Sequence, residues 1–460
     1  MLFVTIKLKY WRLNMLSKIK NAGLPGVILL FLITVLPLTT SADALKSAVE
    51  KDYSYLYALF KHFHANPELS MQESETSDRL AKELEAAGFT VTRNIAKTGL
   101  VGIMKNGKGP TVMIRADMDG LPVREKSGLS YASKKRQVNL EGKDVPVMHA
   151  CGHDMHITSL VGTARRLAEL KNQWRGTVML LGQPAEEALG GAEAMVNDNL
   201  YKRVGRPDYA LALHVIANEP AGKIVFSDGL MYSSADTVKI IVHGVGAHGA
   251  APHRGKDPVV IGSQIVMALQ TIITREISPL EPGIITVGAF HSGSAPNVIS
   301  DEAVLDITVR ANSEETRKTL LASISRIAIN AGRMAGLPED KLPEVIVASD
   351  GAPTTYNDAL LAKRIRAAIS KHMGEDALAP FVQTDMGAED FPMLVLVDPP
   401  IPSVYFEVGG TSQEKLSAAA KGGPPVGDHH SPQFKIEPEP SIKAGVEAMT
   451  IAALELLGKP

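Results

Sequence analysis

Between residues 236 and 348 the hydrophobic pattern runs strand, helix, strand, strand, helix, strand, and on either side of that block it alternates between strands and helices. The first order is that of a ferredoxin-like α+β unit. The second belongs to an α/β domain with a parallel or mixed sheet. A chain that resumes its first pattern after completing another carries one domain inserted into the other. The expected division is a sheet domain in two parts, residues 43–232 and 354–460, with an insertion over 233–353 and a leading segment over 1–42.

In the first part, Leu45, Val49, Tyr53, Leu56, Leu59, Phe60 and Phe63 recur at helical spacing, which predicts a helix over 44–63 closed by Pro67. A helix over 74–87 follows, then strands at 89–93, 99–104 and 111–116, a helix over 154–170, and strands at 177–182 and 209–214. The insertion reads as strand 236–243, helix 256–275, strands 284–290 and 302–310, helix 313–334 and strand 343–348. Past it come a helix over 358–371, a strand over 403–408 and a last helix over 440–457. No internal repeat stands out at solenoid or propeller periods.

The leading segment carries Lys7, Lys9, Arg12, Lys18 and Lys20 and no carboxylate before Asp43. An apolar run from Leu24 to Leu38 and the small residues Thr40-Ser41-Ala42 follow, the pattern of a secretory signal. A membrane anchor is the alternative, but about 15 apolar residues broken by Pro25 and Pro37 fall short of the about 20 that span a bilayer. Met15 would serve equally as the start. Export to the periplasm or medium is therefore expected, with membrane contact only through this segment.

Charge excludes other classes. With 48 Lys+Arg against 50 Asp+Glu the formal net charge is −2, and losing the five leading cations makes it −7, so no bulk basic charge is offered to nucleic acid. A content of 45% hydrophobic residues excludes a disordered chain. The single cysteine, Cys151, cannot form an internal disulfide and is a buried inert group, an intermolecular bridge or a ligand.

Its neighbours favour the last. His149-Ala-Cys151-Gly-His153-Asp154-Met-His156 packs three imidazoles, a thiol and a carboxylate between a loop and a helix start. In an extended loop, residues two apart face one way, as Cys151 and His153 must to bind one metal, and thiolate with imidazole suits Zn²⁺. The bland alternative is a polar cluster with Asp154 as N-cap of the helix. After the strand 177–182 comes Gln183-Pro-Ala-Glu186-Glu187, where adjacent carboxylates point apart, so one can bind metal while the other handles protons, unless both are merely solvated. His214 closes the strand 209–214 and Asp117 follows the strand 111–116. Strand ends are where open α/β sheets bind ligands. Asp428-His429-His430-Ser-Pro is either polar surface or a source of one more ligand. Five protein ligands, one of them bridging, would hold two metals about 3.5–4 Å apart.

In the insertion, Gly244-Val-Gly-Ala-His248 is a glycine-rich turn that approaches a ligand or simply leads into the next helix, and Asn297 and Arg310 follow it. Arg310 is a fork for a substrate carboxylate or half of an internal ion pair. No G-x-G-x-x-G after a strand and no phosphate-loop lysine occurs.

Taken in order, Arg115-Ala-Asp-Met-Asp-Gly-Leu-Pro122, His149-Ala-Cys-Gly-His-Asp154, Gln183-Pro-Ala-Glu-Glu187, His214, Gly246-Ala-His248, Pro296-Asn-Val298, Gly387-Ala-Glu-Asp-Phe391 and His430-Ser-Pro432 resemble the M20 metallopeptidase family. The resemblance is narrowest to its amidohydrolase branch of hippurate hydrolases, N-acyl-amino-acid amidohydrolases and auxin-conjugate hydrolases, and it covers most of the chain after the leading segment. It implies a sheet-based metallohydrolase domain with a ferredoxin-like lid that also makes a homodimer. It implies two divalent metal ions, Zn²⁺ or Mn²⁺, with Co²⁺ or Ni²⁺ as further candidates. Carried over position by position, Cys151, His153, Glu187, His214 and His430 are the implied ligands, with Cys151 bridging and His430 preferred to His429 because it precedes Ser-Pro. Glu186 is the implied general base, and Asp117 the aspartate that orients a ligand. Arg115 stands where other branches have a metal-binding histidine, a loss for which Cys151 would compensate. His248 resembles the lid histidine that reaches a neighbouring subunit's site to polarise the carbonyl, and Asn297 and Arg310 look like substrate contacts on the lid. Two departures, Gly246-Ala247-His248 for Gly-Gly-His and Asp119-Gly for Asp-Ala, bear on turn geometry.

The implied activity is hydrolysis of the amide of an N-acylated amino acid by metal-activated water with Glu186 as base. A dipeptidase or aminopeptidase of the same superfamily is the alternative. A non-catalytic metal- or ligand-binding protein would lack a base or a ligand, and here every position is filled.

Overall fold

The computed structural model describes residues 41–349 and 351–459. The leading segment read as a signal lies outside the described residues, apart from its last two positions, which open the first helix.

The chain opens with helices α1 (Ser41–Ala65) and α2 (Ser74–Ala86) and strands β1 (Thr90–Ile95), β2 (Gly99–Asn106) and β3 (Thr111–Asp117). Helix α3 (His153–Glu169), β4 (Gly176–Gln183) and β5 (Tyr209–Pro220) complete the first part of a large sheet, to which β10 (Ser403–Thr411) returns after residues 234–347 have formed a separate sheet. The eight-stranded order is β1-β2-β4-β3-β5-β10, then the two-residue strands Ile224–Val225 and Leu378–Ala379. β4, β3, β5 and β10 run parallel, while β1, β2 and Ile224–Val225 pair antiparallel, so the sheet is mixed. The central strands are buried on both faces, which is why Val-Met-Ile-Arg-Ala-Asp in β3 reads as a run rather than an alternation. α1, α3, α6 (Ala359–Met373) and α7 (Pro438–Leu456) pack together over this sheet around Phe60, Leu160, Ile369 and Met449.

The second sheet has the order β7-β8-β6-β9, from β6 (Ser234–His243), β7 (Gly283–Ser292), β8 (Glu302–Ala311) and β9 (Glu344–Val347), antiparallel throughout. Alternating Val238, Ile240 and Val242 on β6 face α4 (Pro258–Arg275) and α5 (Glu314–Met334), giving a hydrophobic core distinct from that of the large sheet. Side chains fix where these helices begin: Asp257 accepts the N–H of Val259 and Ser313 that of Thr316.

Candidate metal centre

β3 ends at Asp117, opposite Gln183 at the end of β4. On its other side Arg115 pairs with Ala212, which brings His214 of β5 level with Asp117. The sequence places His214 at a strand end, but β5 runs on to Pro220, because β10 goes on pairing with it as far as Thr411 after β3 has stopped. The site therefore sits at the carboxyl ends of neighbouring parallel strands, β4 and β5 on either side of β3, where parallel sheets bind ligands.

Cys151 and His153 do not lie in an extended loop. Gly152 between them has φ of +87°, and a Cβ there would stand 2.3 Å from Val215 Cγ1. Only glycine makes this turn, which delivers Cys151 from the loop and His153 as the first residue of α3 into one space. Asp154 is not the helix cap. Gly152 holds that position, and Asp154 instead meets His64 Nδ1 at 2.7 Å through Oδ2.

The ligating atoms of Cys151, His153 and His214 lie within 4.8 Å of one another, and so do those of Cys151, Glu187 and His430. Cys151 is common to both groups. Its sulfur is 3.4 Å from His214 Nε2, and His430 Nε2 is 3.3 Å from Glu187 Oε2. Hydrogen bonds sort the imidazoles. His214 Nδ1 lies 2.7 Å from the carbonyl of Val215, so the proton sits there and Nε2 turns a lone pair to the site. His156 is used at both ends: Nε2 accepts the N–H of Val215 at 2.8 Å and Nδ1 donates to Asp117 Oδ1 at 2.6 Å. It is no ligand, although it stands beside His153. His429 approaches Cys151 Sγ at 3.7 Å through Nδ1.

Three observations fit divalent cations here. Nε2 of His153 and Oε1 of Glu187 are buried without a hydrogen-bond partner, a state that coordination would relieve. Burial, reinforced by the charge of Glu187, drives the Cys151 thiol well up, and burial with Glu389 and Glu187 does the same to Glu186. Burial raises Glu187 to about 8 against the pull of His153. A cluster in which the thiol and both glutamates resist ionisation is short of positive charge, and the donor set of one thiol, three imidazoles and a carboxylate is the type that binds transition-metal ions.

Two supports escaped the sequence reading. Asp119 accepts the N–H of Glu186 through Oδ1 and of Glu187 through Oδ2, both at 3.1 Å, and its Oδ1 is 3.3 Å from His153 Nδ1. Asp117, expected to orient a ligand, hydrogen-bonds His156 and Arg115, and its nearer oxygen is 3.8 Å from His153 Nε2. The signal for Asp119 was the second acid of Asp-Met-Asp, on the same side of the chain as the first. Below the centre, the fully buried Arg115 reaches Asp117 and Glu389 at 2.6 Å each, Gln183 at 2.8 Å and Asp390 at 3.4 Å. Gly387-Ala-Glu389-Asp390-Phe391 was visible as a motif, but nothing local marks it as the counter-charge of Arg115.

A cavity of about 730 Å³ opens over Cys151, Glu186, Glu187, His214 and His430 and also takes in Arg310 of β8. Arg310 is half-buried, its side chain makes no hydrogen bond or ion pair among the described residues, and burial depresses its pKa. His248 and Asn297 do not line this cavity. They sit together on an exposed turn, where Ala247–His248 pairs with Val298–Ile299 and Gly249 donates to the Asn297 carbonyl at 2.8 Å. His248 Nδ1 accepts the N–H of Ala250 at 3.0 Å, so its Nε2 carries the ring proton outward.

The family model described as peptidase family M20/M25/M40 matches residues 113–454. A protein named hippurate hydrolase from Campylobacter jejuni is 39% identical over 64% of this chain and 73% of its own length. One named thermostable carboxypeptidase 2 from Saccharolobus solfataricus is 32% identical over 91% of this chain and 99% of its own. A crystal structure from Bacillus subtilis, described as a dinuclear metal binding peptidase from the M20 family, superposes with a TM-score of 0.70 at 25% identity, covering 89% of this chain and all of that one.

Proposed function

We propose that this chain, which belongs to peptidase family M20/M25/M40, hydrolyses the amide bond of N-acylated amino acids of the hippurate kind at a centre of two divalent cations. The observation that carries this reading is the pair of ligand groups sharing Cys151, with Glu186 left free beside them and Arg310 in the same cavity.

Cys151, His153 and His214 would hold one ion and Cys151, Glu187 and His430 the other, as Zn²⁺ or Mn²⁺, or as Co²⁺ or Ni²⁺. Bound there, the ions would lower the pKa of a water and offset the negative charge that grows on the amide oxygen. The protein does the rest. Glu186, held by its backbone on Asp119 and pushed by burial toward keeping a proton, accepts the proton of the attacking water and passes it to the departing nitrogen. Arg310 offers its unpaired fork to the substrate carboxylate, fixing the amide over Glu186. His248 of a second copy, with Nε2–H exposed, completes the site by polarising the carbonyl, which makes residues 233–353 a lid and the enzyme a homodimer.

A second reading has one specific support. Arg310 fits the terminal carboxylate of a peptide equally well, and the carboxypeptidase relative spans nearly the whole chain. A panel of acetyl-, benzoyl-, long-chain acyl- and indoleacetyl-amino acids, with blocked and free dipeptides, assayed with each metal, decides between them. Turnover of the N-acyl amino acids is expected. Turnover of unblocked dipeptides alone would replace the proposal with a peptidase.

The leading segment completes the proposal as an export signal removed near residue 42. Sequencing the N-terminus of protein recovered from the periplasm or medium tests it, and an intact first residue on protein retained in the cell would reject it.

A further inference from the structure

The sulfur of Cys151 has an imidazole on either side, and the two are not equivalent. His214 turns an unprotonated Nε2 to it, because its Nδ1 proton is committed to the Val215 carbonyl. His429 presents the reverse arrangement. The backbone N–H of Ala217 donates to His429 Nε2 at 3.1 Å, so that nitrogen carries no proton. The ring proton must then sit on Nδ1, which faces Cys151 Sγ at 3.7 Å, within range of an N–H···S bond. A protonated nitrogen cannot ligate a cation.

We propose that His429 is a positioning residue: it donates its Nδ1 proton to the Cys151 sulfur, holding the shared thiolate between the two ligand groups and drawing charge away from it. The inference rests on the reading of Cys151 as a ligand given above.

The surroundings fix the ring for this purpose. Phe434 stacks at a tilt with centroids 4.8 Å apart, and His214 meets it edge-on at 5.2 Å. Ala217 is available as donor only because β5 continues past His214. The backbone separates the two adjacent histidines. His429 N–H is tied to Asp428 Oδ1 at 2.8 Å, while His430, at φ of +61°, is tied to the Ala150 carbonyl at 2.8 Å and sends its ring to Glu187. The two neighbours thus divide the work, one as ligand and one as donor to a ligand. A thiolate that accepts an N–H has less electron density to share, which would leave cations held there more acidic and makes the sulfur more tolerant of Glu186 and Glu187 nearby.

The test uses the full-length protein loaded with Co²⁺, whose sulfur-to-cobalt charge-transfer absorption reports on the thiolate. His429→Leu removes the donor, and His429→Asn places an amide N–H near the position of Nδ1. In His429→Leu the band is expected at longer wavelength, with Co²⁺ lost to a competing chelator about tenfold more readily. In His429→Asn both readings return toward those of the unsubstituted protein. An unchanged band in His429→Leu, or an asparagine variant that behaves like the leucine one, would overturn the proposal. Should the leucine variant not fold, nitrogen-15 spectra of the unsubstituted protein decide. A His429 ring protonated on Nδ1 supports the assignment, and one protonated on Nε2 ends it. A complete absence of the charge-transfer band before any substitution would instead remove Cys151 from the ligands, and the metal-centre reading would fail with it.

Discussion

The Asp119 carboxylate stands 3.3 Å from Nδ1 of His153. The same carboxylate carries the backbone N–H groups of Glu186 and Glu187 and the hydroxyl of Ser70, so one side chain joins the first turn of α3 to the loop that presents the paired acids. Removing it releases both at once. Asp119→Ala is expected to lower metal affinity by about 10–100-fold, the usual effect of losing the group behind a ligand. Asp119→Asn, which keeps an acceptor oxygen, should lose less. Metal retained after dialysis against a chelator measures this, and equal retention in all three proteins would show that Asp119 supports nothing at the centre.

Glu186 and Glu187 share an anchor but not a task. Glu186→Gln is expected to cut kcat by about 10²–10⁴-fold with metal content per chain unchanged. Glu187→Gln should lose metal as well as activity, because Glu187 faces Cys151 and His430. Elemental analysis beside steady-state kinetics separates the two, and a Glu186→Gln protein with normal turnover would need a different base.

Gly152 is constrained twice, by φ of +87° and by Val215 at 2.3 Å from any Cβ. Gly152→Ala is expected to disperse Cys151 and His153 and lower metal stoichiometry. Trimming the neighbour in Gly152→Ala/Val215→Ala should recover only part, since left-handed backbone still costs a non-glycine residue about 1–2 kcal/mol. Full recovery in the double variant would mean that the clash alone mattered.

The extent to which this site could be read from sequence follows the range of each cause. Helices and strands appeared within two or three residues where periodicity is local, as in α4, expected over 256–275 and found as Pro258–Arg275, starting late because Asp257 is its cap. The short helices Gly191–Asn197 and Gln413–Ala420 carry too few turns to show a period. The continuation of β5 past His214 was hidden because β10, far along the chain, causes it. The same distance hid the division of labour among the imidazoles. His153, His156, His214 and His429 are alike in sequence and are told apart only by which backbone groups meet them. The pairing of Arg115 with Glu389 spans most of the chain and left no local trace.

Arg310 predicts a dependence on substrate charge. Losing a charge-assisted pair with a carboxylate costs about 1.5–3 kcal/mol, roughly 10–150-fold in affinity. Arg310→Gln should therefore raise KM for an N-acyl amino acid by at least about tenfold while changing it little for the matching N-acyl amino-acid amide. A parallel rise for both substrates would make Arg310 a structural element of β8 rather than a carboxylate contact.

His64 predicts a dependence of stability on pH that does not involve turnover. Its ring bridges Asp154, on the first turn of α3, at 2.7 Å and Glu125 at 3.0 Å. Burial alone would lower its pKa, but the hydrogen bonds that the ring donates to Asp154 and Glu125 outweigh that and raise it to about 10. The unfolded chain releases this proton near 6.5. Below that pH both states hold the proton and the full stabilisation is present. Between about 6.5 and 10 the folded state alone keeps it, so stability falls by up to about 1.4 kcal/mol per pH unit until the ring titrates in the folded protein too. Thermal unfolding of metal-free protein is thus expected to show a lower Tm at pH 9.5 than at pH 6.5, with the slope reduced in His64→Phe. The variant should also be less stable at pH 6.5, since Asp154 and Glu125 would be left buried without a cation. Parallel pH profiles for the two proteins would show that the ring is neutral in the fold and that α3 is held by other contacts.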